Sequence, residues 1–334
     1  MIKNPTRRNF IKTTGLAGLY AAFGSGFTTM LNHQTDLRRV GIIGLDTSHA
    51  SEFIKALNKA KHTAAYNGYY VTTAYPYGSK KIASSYSRID QYTKEAKENG
   101  VTIAGSVDEL LKNCDVVMLE TNDGSLHLEQ ATAIFKSRKR VFIDKPVAAK
   151  MNDVVSIYKL AKKYNTPMFS ASSLRYIEKA QKVRAHTYGK VLGATAFSPA
   201  TIEASHTDLF WYGIHGVELL YTLMGIGCVH VSQTSTADAD VVVGTWNDGR
   251  IGVFRGTRAG RHDYGGIVHA ENATVYVDRY DGYEPLLKEI IKFFDTGTAP
   301  VSAAETLEIY AFMDAAAKSK KSNGQIIPLQ KPAL

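Results

Sequence analysis

Short apolar runs alternate with longer amphipathic stretches between residues 36 and 174. The runs have the length and β-branched content of strands, and several are apolar on both faces, as buried parallel strands are. Between them, for instance over residues 153–164, apolar side chains recur at helical spacing. This alternation predicts the α/β class, with an N-terminal Rossmann-like, doubly wound parallel sheet. The predicted strands include residues 37–44, 69–75, 116–120 and 141–145.

The pattern changes to a period of two beyond residue 175. Residues 241–246 and 251–255 alternate in polarity, and Asn247-Asp248-Gly249 between them favours a hairpin turn. We therefore predict a second, α+β domain over residues 175–334, with a mostly antiparallel open sheet. One face of that sheet would cover helices, and the other would be free to pack against a partner. The predicted strands are residues 191–198, 229–235, 240–246, 250–258 and 273–278, and the predicted helices are 177–188, 283–294 and 303–318, the last two packing back on the first domain.

The first 35 residues have the pattern of an export signal. Arg7 and Arg8 precede Phe10 and Lys12, a mildly apolar stretch follows, and residues 32–34 are polar. This resembles a twin-arginine signal, which predicts a periplasmic protein with no stable membrane span after signal removal. An uncleaved membrane anchor is the alternative. We exclude this segment from the two-domain prediction.

The charge distribution and the cysteine content argue against nucleic-acid binding and against cysteine-based cross-links or metal sites. The formal net charge is +9, but four of these charges lie in residues 1–35, and no dense basic run follows. Nucleic acid is therefore not expected as a partner. Cys114 and Cys228 fall in different predicted domains, so neither a disulfide nor a cysteine metal site is expected.

Candidate chemistry begins at Lys145, which lies at the carboxyl end of the predicted strand at residues 141–145 and precedes Pro146. Proline cannot donate to a central ladder, so the strand ends there. Open α/β sheets bind ligands at the carboxyl ends of their strands, which places Lys145 at such an edge. For an isolated Lys-Pro pair, a solvent-exposed lysine is the commoner outcome.

Four motifs together resemble the Gfo/Idh/MocA oxidoreductase family over roughly residues 38–330. Asp144-Lys145-Pro146 is similar to that family's Glu-Lys-Pro signature. Residues 115–121, followed by His127, resemble its strand, Thr-Pro turn and histidine. Residues 213–225 resemble its catalytic-histidine helix, and residues 305–317 its final helix.

The resemblance implies hydride transfer between a nicotinamide cofactor and a hydroxyl or keto group of a sugar or cyclic polyol. Lys145 would polarise the reacting oxygen and hold the cofactor ribose, and His215 would shuttle the proton. It also implies a homo-oligomer formed through the C-terminal sheet. The alternative is a non-redox carbohydrate-active or carbohydrate-binding protein that has lost dinucleotide binding.

The expected cofactor turn departs from the Gly-x-Gly-x-x-Gly pattern. It keeps Gly44, but Asp46 and His49 replace the second and third glycines. A carboxylate there would repel phosphate unless it faces away, whereas His49 could donate to a phosphate at the helix N-terminus. Alternatively, Asp46 and His49 bind a sugar hydroxyl. The candidate cofactor residues are Gly44, Asp46, Thr47, Ser48, His49, Thr121, Asn122, His127 and Lys145.

The second strand gives a slight preference between NAD and NADP. In relatives an acidic residue at the end of this strand holds the adenosine ribose, but here Lys80 and Lys81 follow instead. Two lysines would favour the 2′-phosphate of NADP over NAD. They could equally be solvated loop residues.

The candidate substrate residues lie around the second domain's first helices. Arg175 and Tyr176 resemble the family's arginine-aromatic pair, although the arginine could equally be structural. His215 matches the family's histidine, but Trp211 stands where relatives carry an aspartate. Asp208 could substitute for that aspartate, and Trp211 could stack on a sugar ring. Glu203, His206, Asp208 and His215 match no strong metal spacing, so no metal is predicted. The substrate candidates are Arg175, Tyr176, His206, Asp208 and Trp211.

Overall fold

The structure, a computed structural model, describes residues 36–334. The predicted export signal, residues 1–35, lies outside the described residues. Among the helices of residues 36–334, none combines the length and hydropathy that a membrane-spanning helix needs.

The first sheet contains six strands, and every neighbouring pair is parallel. Their order is β3-β2-β1-β4-β5-β6, the strand order of the Rossmann fold, so the predicted fold class of this part is confirmed. The strands are β1 Arg38–Ile43, β2 Tyr69–Tyr75, β3 Thr102–Ile103, β4 Val116–Leu119, β5 Val141–Ile143 and β6 Met168–Phe169.

Helices flank this sheet and connect its parallel strands. β4, β5 and the last four residues of β1 are buried on both faces between the helices, which explains why none of these positions carries a polar side chain. The helices are α1 Ser48–Ala60, α2 Ala83–Tyr86, α3 Ile89–Glu98, α4 Val107–Lys112, α5 His127–Lys136 and α6 Met151–Lys163.

The second sheet contains seven strands in the order β12-β11-β7-β10-β9-β8-β13. Its neighbouring pairs are antiparallel apart from β7 and β10, so the predicted mostly antiparallel sheet is confirmed. β9 and β10 form the predicted hairpin around Asn247–Gly249. The strands are β7 Val191–Pro199, β8 Cys228–Ser235, β9 Ala239–Trp246, β10 Ile251–Thr257, β11 Gly265–Ala270, β12 Thr274–Val277 and β13 Ile327–Pro328.

Four helices accompany the second sheet: α7 Glu178–Arg184, α8 Ile214–Met224, α9 Glu284–Thr296 and α10 Ala303–Lys321. Every residue of α8 is buried, because the helix packs against β7, β10, α7 and α10. α9 places its apolar face in the core of the first sheet, where Leu286 and Ile290 join Val40 and Phe142. α10 packs against α6 as well as α8 and β8. Helices from the second half of the chain thus pack against elements of both sheets.

Candidate active site

A cleft of about 350 Å³ opens at the carboxyl ends of the first sheet. This is the edge at which open parallel sheets bind ligands, and the volume is that of a small-molecule site. Seven predicted site residues line the cleft: Thr47, Ser48, His49, Asn122, Lys145, Trp211 and His215. Its other lining residues are Ser84, Arg88, Ser173, Leu174, Thr201, Tyr212, Tyr264, Tyr280 and Tyr283.

Lys145 follows β5 and is delivered to the floor of the cleft. The residue is largely buried, and its Nζ lies 5.7 Å from the centre of the Tyr212 ring. Its backbone N–H donates to Oδ1 of Asp144 over 2.8 Å, which fixes the strand end. The peptide bond between Lys145 and Pro146 is cis. A partly desolvated ammonium group is therefore held at an aromatic face beside the cleft.

His215 enters the same cleft from the first turn of α8. Its Nδ1 lies 2.8 Å from Oγ of Ser172, which fixes the ring plane. Burial, and then the electrostatic effect of Lys145, lower the pKa of His215 well below its usual range. The imidazole is therefore neutral at pH 7 and can accept a proton. A cation and a neutral base from the two halves of the molecule thus share one cleft.

The first turn of α1 forms the wall next to Lys145. Oγ of Thr47 accepts from the backbone N–H of His49 over 2.9 Å and so caps the helix. Asp46 points away from the cleft, because its oxygens accept from Oγ of Ser85 and from the backbone N–H of Asn122. Its carboxylate therefore does not occupy the space in front of the helix N-terminus.

A tyrosine cluster, Tyr212, Tyr264, Tyr280 and Tyr283, forms the opposite wall. The hydroxyls of Tyr212 and Tyr264 lie 2.9 Å apart, and that of Tyr280 lies 3.0 Å from Oγ of Ser173. The Tyr283 ring packs 4.5 Å from the ring of His49. The cluster therefore offers several aromatic faces and hydroxyl groups to one ligand.

Residues 38–171 match the family model described as "Oxidoreductase family, NAD-binding Rossmann fold", GFO_IDH_MocA. The Rossmann-like part of this chain is thus similar to the Gfo/Idh/MocA oxidoreductases. No curated protein matches the chain by sequence.

Solved structures extend the Gfo/Idh/MocA likeness to both domains at the level of the fold. A myo-inositol dehydrogenase from Corynebacterium glutamicum is 11% identical with a TM-score of 0.71, and covers 89% of this chain and 100% of its own. GenD2 from gentamicin A biosynthesis, solved with NAD, is 14% identical with a TM-score of 0.71, over 89% and 98%. An oxidoreductase from Thermotoga maritima is 14% identical with a TM-score of 0.70, over 88% and 99%.

Some predicted Gfo/Idh/MocA cofactor residues support the turn without lining the cleft. Gly44 has φ of +95°, and a Cβ there would meet the backbone of Thr121 at 2.3 Å. Thr121 is therefore buried against β1 and does not line the cleft. His127 is also buried, with Nε2 2.6 Å from the Thr121 carbonyl oxygen and Nδ1 3.1 Å from that of Val147. The expectation that Asp46, Thr121 and His127 face a ligand is corrected, because none of them lines the cleft: Asp46 and His127 are hydrogen-bonded within the protein, and Thr121 is fully buried.

Arg175 is likewise a structural residue. Only 2% of it is exposed, and its Nε and Nη1 donate to Glu218 and Glu305 over 2.8 and 2.6 Å. Tyr176 packs against the core of the first sheet, so neither residue of the expected substrate pair lines the cleft. The sequence prediction failed because both carboxylate partners lie far away along the chain.

The stretch before α8 also differs from the prediction. His206 is buried, and its Nε2 accepts from the backbone N–H of Gly124 over 3.2 Å. Asp208 pairs with Lys320 over 3.1 Å and does not line the cleft, so it does not replace the family's aspartate beside His215. Trp211 does line the cleft, and its ring lies 4.8 Å from that of His206.

Residues that the sequence analysis missed include the tyrosine cluster, Arg88 and Glu120. Four tyrosines fall within residues 264–283, three of them in the tyrosine cluster, and this local enrichment was an available signal. Glu120 is fully buried at the end of β4. Burial, and then the charge of Asp144, raises the pKa of the Glu120 carboxyl well above its ordinary value.

Proposed function

We propose that this protein is an oxidoreductase that transfers a hydride between a nicotinamide cofactor and a hydroxyl or keto carbon of a sugar or cyclic polyol. The observation that carries the proposal is that Lys145 and His215, from the two halves of the chain, line one cleft. The similarity of residues 38–171 to an oxidoreductase family supports it.

Lys145 and His215 would divide the acid–base work. The Lys145 ammonium would donate to the reacting oxygen and favour the negative charge that develops on it. The neutral His215 would accept the hydroxyl proton in the oxidative direction and return it in the reductive direction. Ser172, 2.8 Å from Nδ1, would keep the imidazole in place during both steps.

The residues after β1 fit the phosphates of a dinucleotide. Asp46 is turned away and hydrogen-bonded, and the N-terminal turn of α1 faces the cleft with Thr47, Ser48 and His49. A helix N-terminus of this kind favours an anionic group. When bound, the nicotinamide ring would accept or supply the hydride. Lys145 would contact the neighbouring ribose.

We assign the preference for NADP over NAD to Arg88. Lys80 and Lys81 are exposed, whereas Arg88 lines the cleft beyond β2. An arginine in this region of a Rossmann fold accommodates the 2′-phosphate of NADP. Arg88 therefore takes the role that the sequence analysis gave to the two lysines.

The tyrosine cluster supports a carbohydrate as substrate. Aromatic faces pack on the apolar side of a sugar ring, and phenolic hydroxyls hydrogen-bond to its hydroxyls. The cleft is also lined by Ser173 and Thr201, which add two further hydroxyl groups. The structural neighbour named a myo-inositol dehydrogenase agrees with this chemistry.

One observation favours the second candidate, a carbohydrate-active protein without redox chemistry. Tyr283 packs on His49 at the first turn of α1, beside the residues expected to hold the dinucleotide phosphates. If these rings stay in place, the cleft holds a sugar and no dinucleotide.

The first test is turnover of a panel of sugars and cyclitols, including myo-inositol, with NAD⁺ and NADP⁺, followed by the absorbance of the reduced nicotinamide. Lys145→Met and His215→Asn should each lower kcat about 10²–10⁴-fold, the usual size of an acid–base contribution. Lys150→Met, at an exposed lysine five residues further on, is the matched control and should retain full activity. Retained turnover in Lys145→Met would remove that residue from the mechanism.

Export and assembly are further parts of the proposal. The twin-arginine pattern supports a periplasmic location. The open face of the second sheet carries Ile251 and Tyr276, each more than half exposed, next to the partly covered Val253. These apolar residues support association of two or more copies through that face. Light scattering would test this by measuring the molar mass of the protein in solution.

A further inference from the structure

Three metal-ligating side chains meet behind the cleft, at the carboxyl ends of neighbouring strands. Glu120 follows β4, Asp144 follows β5, and β4 pairs with β5, so the two carboxyl groups emerge side by side. His49 reaches them from the first turn of α1. One ligand atom from each of His49, Glu120 and Asp144 lies within 4.8 Å of the others, and all three residues are buried.

Glu120 is the unusual member of this triad. It is 0% exposed, and within residues 36–334 neither of its carboxyl oxygens has a hydrogen-bond partner. Neighbouring buried acids are satisfied: Asp46 accepts from Ser85 and Asn122, and Asp144 accepts from the backbone N–H of Lys145. A buried carboxyl group without a hydrogen-bond partner is destabilising, so it calls for an explanation such as a bound ion.

The arrangement of the donor atoms suits a cation. Nδ1 of His49 lies 2.8 Å from Oδ2 of Asp144, so an imidazole nitrogen and a carboxylate oxygen already face each other within the triad. Imidazole nitrogen together with carboxylate oxygen selects ions such as Mn²⁺ and Zn²⁺, whereas Ca²⁺ and Mg²⁺ prefer oxygen ligands alone. His49 and Lys145 both line the cleft, which gives an ion a path to the triad.

We propose that His49, Glu120 and Asp144 form a binding site for one divalent transition-metal ion, of the Mn²⁺ or Zn²⁺ class, behind Lys145. Two carboxylates would offset the ion's charge, and the ion would give Glu120 the partner that the polypeptide does not supply. Because the ammonium of Lys145 is nearby and repels a cation, both carboxylates are needed. The proposal concerns binding alone, and it stands whether or not the cleft transfers a hydride.

The test is calorimetric titration of chelator-treated protein with MnCl₂ or ZnCl₂ alone, without nicotinamide or sugar. The wild type should bind one ion per chain, and Mg²⁺ at the same concentration should not compete. Glu120→Gln preserves the shape of the side chain and removes its charge, so it should weaken binding at least about 100-fold. His49→Gln should do the same.

Two controls separate ligation from general charge and from stray histidines. Asp46→Asn removes a nearby buried carboxylate outside the triad, and His230→Gln removes an exposed imidazole. Both variants should bind one ion per chain, with a Kd within a few-fold of the wild-type value. Without metal, Glu120→Gln should melt at or above the wild-type temperature, because the variant removes an unpartnered buried carboxyl group, and added Mn²⁺ should no longer raise its melting temperature.

Absence of saturable binding of either ion to the wild type would overturn the proposal. Equal binding by wild type, Glu120→Gln and His49→Gln would also overturn it, since the ion would then lie elsewhere.

Discussion

The ion-pair network around Arg175 gives a prediction that separates stability from ligand binding. Arg175 bridges Glu218 and Glu305 inside the protein, and Arg184 also donates to Glu305, over 3.1 Å. In Arg175→Met, Glu305 would keep Arg184, and Glu218 would keep the backbone N–H of Ser172 at 2.8 Å. The main cost is therefore the loss of the charge that neutralises Glu218.

Removing one partner of a buried ion pair costs about 3–5 kcal/mol of stability. Because both glutamates keep another hydrogen-bond partner, we expect Arg175→Met to lie near the lower limit, at about 3 kcal/mol. At roughly 2–4 °C per kcal/mol for a protein of this size, the melting temperature should fall by about 6–12 °C. The double variant Arg175→Met/Glu218→Gln should recover part of this loss, because the orphaned charge is removed with its partner.

Thermal and urea unfolding would measure these changes, with Arg261→Gln as the control for loss of an arginine. Arg261 and its partner Asp263 are both largely exposed, so the control should change stability by no more than about 0.5 kcal/mol. If Arg175→Met unfolded like the wild type and instead raised KM for a sugar, Arg175 would be a substrate residue and the structural assignment would be wrong.

Three further predictions concern the cofactor, the pH dependence and the turn after β1. Arg88→Gln should weaken NADPH binding about 10–100-fold relative to NADH in a fluorescence titration, the value of a charged hydrogen bond, whereas Lys80→Gln should not; equal losses for both cofactors would contradict the assignment. Burial lowers the pKa of His206 to about 4 in the folded protein, whereas a histidine in the unfolded chain has a pKa of about 6.5. As the pH falls from about 6.5 to 4, the unfolded chain therefore takes up a proton that the folded protein does not, and the free energy of unfolding decreases. In His206→Gln, the free energy of unfolding should fall by about 2–3 kcal/mol less than in the wild type over this pH range, as measured by urea unfolding at a series of pH values. The same pH dependence in variant and wild type would refute this prediction. Gly44→Ala should destabilise the protein by at least about 1 kcal/mol, because its Cβ would meet Thr121 at 2.3 Å; unaltered urea unfolding would show that this turn is adaptable.

Much of the fold could be predicted because the buried parallel strands are runs of apolar residues in the sequence. β2 was predicted at its observed bounds, and the β9–β10 hairpin follows from its Asn-Asp-Gly turn. β11, Gly265–Ala270, was missed because two glycines open it and a histidine interrupts its apolar residues. Its place in the sheet comes from pairing with β7 and β12, which no local pattern shows.

The site could be predicted only where a residue's position follows from its strand. Lys145, Asn122 and the turn after β1 line the cleft because parallel strands end at one edge. Arg175 was expected at the substrate, yet it is buried against carboxylates 43 and 130 residues away along the chain. Such long-range pairs leave no local signal. Tyr264 belongs to a loop whose direction depends on how the second sheet packs.

The central claim, that this cleft works with a nicotinamide cofactor, is tested most directly by melting the protein with NAD⁺, NADH, NADP⁺ or NADPH. A ligand at 100 times its Kd stabilises the native state by about 2.7 kcal/mol, which corresponds to roughly 5–11 °C for a protein of this size. The account predicts a rise of that size with at least one of the four, and the largest with NADPH. No rise with any of them at saturating concentration would contradict the oxidoreductase assignment and favour a carbohydrate-active protein without redox chemistry.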